Sequence, residues 1–131
     1  MRYLIDTDYL IDAAAGSTTA VGILDHLSPQ GLAISIIAVA ELYEGAFGFS
    51  EPEATLTAFR AFLRPYAVLP LSDPAVERFA RIRAALRRQG LLIPDMDLLV
   101  AATALHAELT LVTRNRRHFE RIPDLKLYQP S

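Results

Sequence analysis

The chain has 131 residues, 52% of them hydrophobic and 21% charged, with thirteen Lys and Arg against fifteen Asp and Glu. That length suits a single domain spanning residues 1–131, and the apolar share is too high for a disordered chain. The absence of cysteine excludes disulfide frameworks, thiol catalysis and Cys-ligated zinc or iron–sulfur centres, and suits a reducing cytoplasm.

Short β-rich runs alternate with longer stretches of helical period along the chain. Residues 3–5, Tyr-Leu-Ile, read as a buried strand, and the N-terminus lacks the long apolar run and cleavage site of a secretory signal. Helices are predicted over 9–15 and 18–27, the second closed by the turn Ser28-Pro29-Gln30-Gly31. A second strand covers 32–36, a helix follows over 37–45, and 45–50 is a Gly-interrupted connection carrying Phe47 and Phe49. Those two rings either fill the core or face a partner protein. A helix over 53–63 and a strand over 67–71 come next, then a helix from Ser72-Asp73-Pro74 to Gln89, stopped by Gly90. The segment 97–105 is apolar on nearly all sides and should be a central helix; residues 91–105 are too broken by Pro94, Asp95 and Asp97 to cross a bilayer. Strands are predicted over 109–113 and 125–128, with a short helical turn at His118-Phe119 between them.

Strands separated by helices imply crossover connections, hence an α/β fold: a parallel sheet covered on both faces. Ligands of such sheets bind beyond the carboxyl ends of the strands. Asp6 follows strand one directly and belongs at that edge, where a carboxylate must be solvated, paired or metal-bound. Asp8 is the better placed of the two to cap the helix that follows. Glu41 has apolar neighbours at 37, 40 and 42, so it cannot easily leave the covered face; Glu44 is a weaker second candidate. Asp95 and Asp97 open the central helix: one can serve as its N-cap, leaving the other for the crevice. Thr113 and Asn115 offer neutral oxygens after the fourth strand.

Carboxylates crowded together raise one another's pKa unless a cation neutralises them. A cysteine-free, oxygen-rich donor set favours Mg²⁺ or Mn²⁺ over zinc, and His26, His106 and His118 show no metal-ligand spacing. A divalent ion so held lowers the pKa of water and neutralises charge developing on phosphate oxygens. Charge is uneven along the chain: residues 1–59 hold one basic and eight acidic residues, residues 60–131 twelve basic and seven acidic. Nine arginines fall in two clusters, 78–88 and 114–121, and arginine grips phosphate through paired hydrogen bonds. Metal-dependent hydrolysis of a phosphodiester is the first functional expectation, with Arg114, Arg116 and Arg117 on the substrate backbone.

The order of these motifs resembles PIN-domain ribonucleases, and among them the VapC toxins of toxin–antitoxin pairs. The resemblance rests on Leu4-Ile5-Asp6-Thr7-Asp8, Ala40-Glu41-Leu42-Tyr43-Glu44-Gly45, residues 93–102 around Asp95 and Asp97, Leu111-Val112-Thr113-Arg114-Asn115, His118-Phe119 and Ile122-Pro123. It implies a three-layer α/β/α sandwich with a parallel five-stranded sheet, and Mg²⁺ or Mn²⁺ held by Asp6, Glu41 and Asp97 with Asp95 in support. Asn115 stands where many members carry a fourth acid, which favours one metal or a weak second one. The resemblance further implies an RNA substrate, a homodimer, and a cognate antitoxin across the active groove, with DNA contacted only through that antitoxin.

Two other classes fit less well. Asp6-Thr7-Asp8 mimics the nucleophile and acid of haloacid-dehalogenase phosphatases, but the one lysine, Lys126, lies in the last predicted strand. A PIN-like module that binds without cutting is the non-enzymatic alternative.

Overall fold

In a computed structural model describing residues 1–130, the first strand, β1 (Tyr3–Ile5), sits inside a four-stranded sheet whose strands all run parallel. The order is β3-β2-β1-β4, with β2 at Leu32–Ser35, β3 at Ala67–Leu69 and β4 at Thr110–Val112. Between β1 and β2 lie α1 (Thr7–Ala14), α2 (Thr18–Leu27) and a 3₁₀ turn over Ser28–Gln30. Helices α3 (Ile36–Ala46) and α4 (Pro52–Leu63) lead to β3, α5 (Asp73–Gln89) and α6 (Asp95–Ala107) lead to β4, and α7 (Arg116–Phe119) follows.

Strand alternation divides the core into two layers. Tyr3, Ile5, Ile34 and Val112 face one side and pack on Leu10 of α1, Leu24 of α2, Leu42 of α3 and Leu63 of α4. Leu4, Ala33 and Leu111 face the other and pack on Leu86 of α5, Leu98, Val100 and Ala101 of α6, and Phe119 of α7. A sheet buried on both faces explains the continuous apolar strands and gives the expected three layers. No helix among the described residues is long and apolar enough to cross a membrane.

The fifth strand expected over 125–128 is reduced to one parallel bridge between Leu111 and Leu127. Leu111 N–H donates to Lys126 O at 2.8 Å and Tyr128 N–H to Leu111 O at 2.9 Å. Pairing stops there because Arg116 Nη1 takes the Tyr128 carbonyl at 3.1 Å and Pro130, two residues on, has no N–H to offer. Likewise β3 ends at Leu69, before Pro70, short of the expected 71.

Three helix starts correct the sequence expectation. Asp6, not Asp8, is the N-cap of α1, accepting the Thr7 N–H at 2.9 Å, so α1 begins at Thr7. α6 begins at Asp95 with Pro94 in the cap position and no side-chain cap, so neither Asp95 nor Asp97 is spent there. Ser35 ends β2 and caps α3 by accepting the Ala38 N–H at 3.0 Å, which starts that helix at Ile36. Ser72 and Gly90 bound α5 as expected, Gly90 adopting the left-handed conformation (φ 70°) that closes a helix without Cβ strain.

Chain order reverses beside β1: β2 is added on one side, and the chain returns through α5 and α6 to lay β4 on the other. The helices therefore part beyond the carboxyl ends of β1 and β4, and Asp6 N–H bonds Val112 O at 2.9 Å at that switch point.

Candidate functional site

Asp6 occupies the switch point and is only 6% exposed. Its Oδ1 accepts the Thr7 N–H, and its Oδ2 accepts the Thr113 hydroxyl at 2.7 Å from just beyond β4. Burial pushes the Asp6 carboxyl up to about 6; the bonds from Thr113 and Thr7 oppose this, while the negative charges of Asp8 and Asp97 add to it. Thr7 extends the chain of contacts. Its hydroxyl donates to Glu41 Oε1 at 2.7 Å, tying the start of α1 to the second turn of α3. Glu41 is half-buried rather than enclosed, because its side of α3 opens toward this edge, and Glu44 is exposed.

Asp97, in the first turn of α6, reaches the same edge. Its Oδ2 lies 3.3 Å from the Asn115 amide nitrogen and 2.8 Å from His118 Nδ1. Thr113 Oγ1 also accepts the Asn115 backbone N–H at 3.0 Å, so one buried hydroxyl fixes both Asp6 and the loop carrying Asn115. Asp6, Glu41, Asp97, Thr113 and Asn115 are thus brought to one edge.

The remaining candidates are placed otherwise. Asp95 faces away and pairs with Arg83 of α5 at 2.8 Å, its side chain 61% exposed. Arg114 Nη2 lies 2.6 Å from Asp12 and its Nε 3.7 Å from Asp8, with the guanidinium near the Tyr9 ring. Arg116 is held by Glu120 at 3.5 Å and by the Tyr128 carbonyl, and Arg121 donates to Leu91 O and Leu92 O. Of that cluster only Arg117 has no hydrogen-bond or ion-pair partner among the described residues, and it is exposed. Phe47 and Phe49 are 58% and 59% exposed, so they do not fill the core; Phe49 meets Phe59 edge to face.

Two contributors escape a search for acids and metal-ligand spacing. Thr7 links Asp6 to Glu41, and its signal is a hydroxyl directly after the strand-end acid. His118 sits on Asp97 across 21 residues, a pairing that local spacing rules cannot see.

The donor chemistry fits a hard divalent cation. Among the described residues no Lys or Arg pairs with Asp6, Glu41 or Asp97, since Arg114 is drawn to Asp8 and Asp12 instead. In the arrangement present, no three His, Asp or Glu side chains among the described residues stand close enough together to grip an ion, Glu41 being turned onto Thr7. A separate cleft of about 670 Å³ between α5, the end of α6 and residues 121–124 contains none of these acids.

A parallel sheet with acids from β1, α3 and α6 and a polar loop after β4 at one switch point defines the class. The PIN-domain family model matches residues 3–125, and the chain belongs to that family. It is 31% identical over 126 residues to ribonuclease VapC2 of Haemophilus influenzae and 29% identical over 126 residues to the tRNA(fMet)-specific endonuclease VapC of Shigella flexneri, covering 96% of each chain in both cases. Among solved structures it is similar to VapBC2 of Rickettsia felis bound to a promoter DNA fragment (TM-score 0.90, 30% identity, 98% of both chains covered). DNA-bound VapBC of Salmonella typhimurium follows, with TM-score 0.89, 29% identity, and 98% of this chain and 97% of that one covered.

Proposed function

We propose that this PIN-domain chain is an endoribonuclease that hydrolyses RNA phosphodiester bonds with Mg²⁺ or Mn²⁺ held by Asp6, Glu41 and Asp97, and that it acts as the toxin of a toxin–antitoxin pair. The observation carrying it is the geometry of one edge: Asp6 is buried at the switch point with no Lys or Arg paired to it among the described residues, and Glu41 and Asp97 reach the same edge. The VapC names of its relatives supply the substrate class, RNA. The VapBC complexes support an antitoxin partner, and through it an indirect link to DNA.

Held by Asp6, Glu41 and Asp97, a bound ion would supply an acidified water and neutralise charge on the phosphate. The chain's own residues set the stage for that chemistry. Thr113 and the Thr7 N–H fix the two oxygens of Asp6, the Thr7 hydroxyl fixes Glu41, and Asn115 with His118 fixes one oxygen of Asp97. Arg114 pairs with Asp8 and Asp12, and so offsets the charge of Asp8 beside Asp6 that would otherwise repel an incoming phosphate. Arg117, exposed in α7, is the arginine of the 114–121 cluster left to meet the RNA backbone.

Purified protein incubated with bulk tRNA is expected to cut it in Mg²⁺ or Mn²⁺ and to stop in excess chelator; cutting that persists in chelator contradicts the assignment. Arg117→Ala should raise KM for RNA severalfold, equivalent to about 1 kcal/mol, with kcat nearly unchanged. Arg116→Ala should instead lower the melting temperature, since that guanidinium holds the Tyr128 carbonyl. Steady-state kinetics and thermal melts on the two variants separate these roles.

A further inference from the structure

Arg114 stands directly after Thr113, whose hydroxyl holds Asp6, so it borders the edge where the acids meet. Several contacts fix it there. Its backbone N–H donates to Asp8 Oδ2 at 3.4 Å, its Nη2 lies 2.6 Å from Asp12 Oδ2, and its Nε lies 3.7 Å from Asp8 Oδ2. The guanidinium carbon lies over the Tyr9 ring, 5.7 Å from the centroid. Holding so long a side chain in one place costs rotamer entropy, and these contacts meet that cost before any ligand arrives. The side chain nevertheless stays 55% exposed.

What Arg114 leaves open is a flat surface rather than a free charge. Two carboxylates already oppose the one guanidinium, so a phosphate gains little by approaching it. A neutral nucleobase is not repelled in this way, and the planar guanidinium stacks on flat rings. Neighbouring rings do not compete for that role: the chain has no Trp, Tyr9 is buried, and Tyr128 meets Tyr3 edge to face.

We propose that Arg114 is a specificity-determining residue that stacks its guanidinium on an unpaired nucleobase of the RNA, at a nucleotide flanking the phosphodiester to be cut. Asp8, Asp12 and Tyr9 hold the platform in place, and the open face takes the base. Stacking strength grows with ring area, so a purine is favoured there over a pyrimidine. Arg114 and Arg117 thereby divide the substrate, the first meeting a base and the second the backbone, which carries no sequence information. This role deepens the ribonuclease proposal and rests on it for the position of cutting.

A cycle between Arg114 and the base tests it on the full chain. Short RNAs spanning the cut mapped in wild type are made intact and with the base removed at each flanking nucleotide in turn. Loss of the base at one of these positions should lower wild-type kcat/KM about tenfold. Arg114→Lys, which keeps the charge facing Asp8 and Asp12 but has no planar face, should cut intact RNA about tenfold more slowly, and its further loss on that abasic RNA should be about twofold or less. Cutting of intact RNA by Arg114→Lys within about twofold of wild type, or losses that multiply, overturns the stacking role and leaves the ribonuclease proposal standing. Should Arg114→Lys fail to fold, Arg114→Gln takes its place in the cycle, and equal cutting of intact and abasic RNAs by wild type overturns the role without any variant. If wild type cuts no RNA, the ribonuclease proposal fails and binding decides this one. Anisotropy of end-labelled oligoadenylate in excess chelator should then show about tenfold weaker binding by Arg114→Lys, with an abasic strand of equal length bound alike by both proteins; equal binding of oligoadenylate overturns the role.

Discussion

Asp6→Asn is expected to lower RNA cleavage by roughly 10²–10³-fold or more, while making the cation-free protein more stable at neutral pH. The first half follows from removing the one buried charge at the switch point. The second follows from linkage. The folded state raises the Asp6 carboxyl from 3.8 to about 6, so folding favours its neutral form. That contribution is complete below about pH 3.8, is lost as pH rises through about 6, and leaves the ionised group opposing folding at pH 7 by about 3 kcal/mol. Asparagine removes this cost but turns a donor toward the Thr113 hydroxyl, giving back about 1 kcal/mol. A net gain of about 1–2 kcal/mol should appear as a melting temperature higher by several degrees at pH 7 in chelator, shrinking or reversing at pH 4. Calorimetric melts at the two pH values decide it: a variant equally destabilised at both would show that Asp6 carries no unrelieved charge.

Thr113→Val is the second large effect. The hydroxyl is buried, donates to Asp6 Oδ2 and accepts the Asn115 N–H. Valine matches its shape but leaves that N–H unbonded and strips Asp6 of a bond that lowers its pKa, so the carboxyl should rise further above about 6. Cleavage at pH 7 should fall about 10–100-fold. The acidic limb of the pH–rate profile should move upward, so that part of the loss is recovered at pH 8–9. A uniform loss across pH would mean that Thr113 acts only through the loop and not through Asp6.

The layered parallel fold was legible in the sequence because buried strands and amphipathic helices leave different periods, and Ser72-Asp73-Pro74 and Gly90 marked the longest helix correctly. Asp6 and Glu41 were legible as acids in apolar surroundings, and Asp97 from its place at the head of an apolar helix. Helix caps were less so: Asp8 reads in the chain as the better placed cap, and only the sheet bond from Asp6 N–H to Val112 O, with Asp6 accepting the Thr7 N–H, shows that the helix starts at residue 7. The arginines misled because a cationic cluster does not reveal its partners; Arg114 is matched by acids about 100 residues earlier, Arg116 and Arg121 by backbone carbonyls. Asp95 was drawn out of the site by Arg83, an ion pair between successive helices that cluster composition alone cannot assign. His118 was hidden for the converse reason, since its counterpart precedes it by 21 residues and the two meet only once α6 and α7 are packed.

The most direct test of the account is an anomalous-scattering map from crystals of the full chain soaked in Mn²⁺. It predicts a peak in contact with carboxylate oxygens of Asp6 and Asp97, with Glu41 released from the Thr7 hydroxyl to face it. A map with no anomalous density between these acids and with Glu41 still bonded to Thr7 would contradict it.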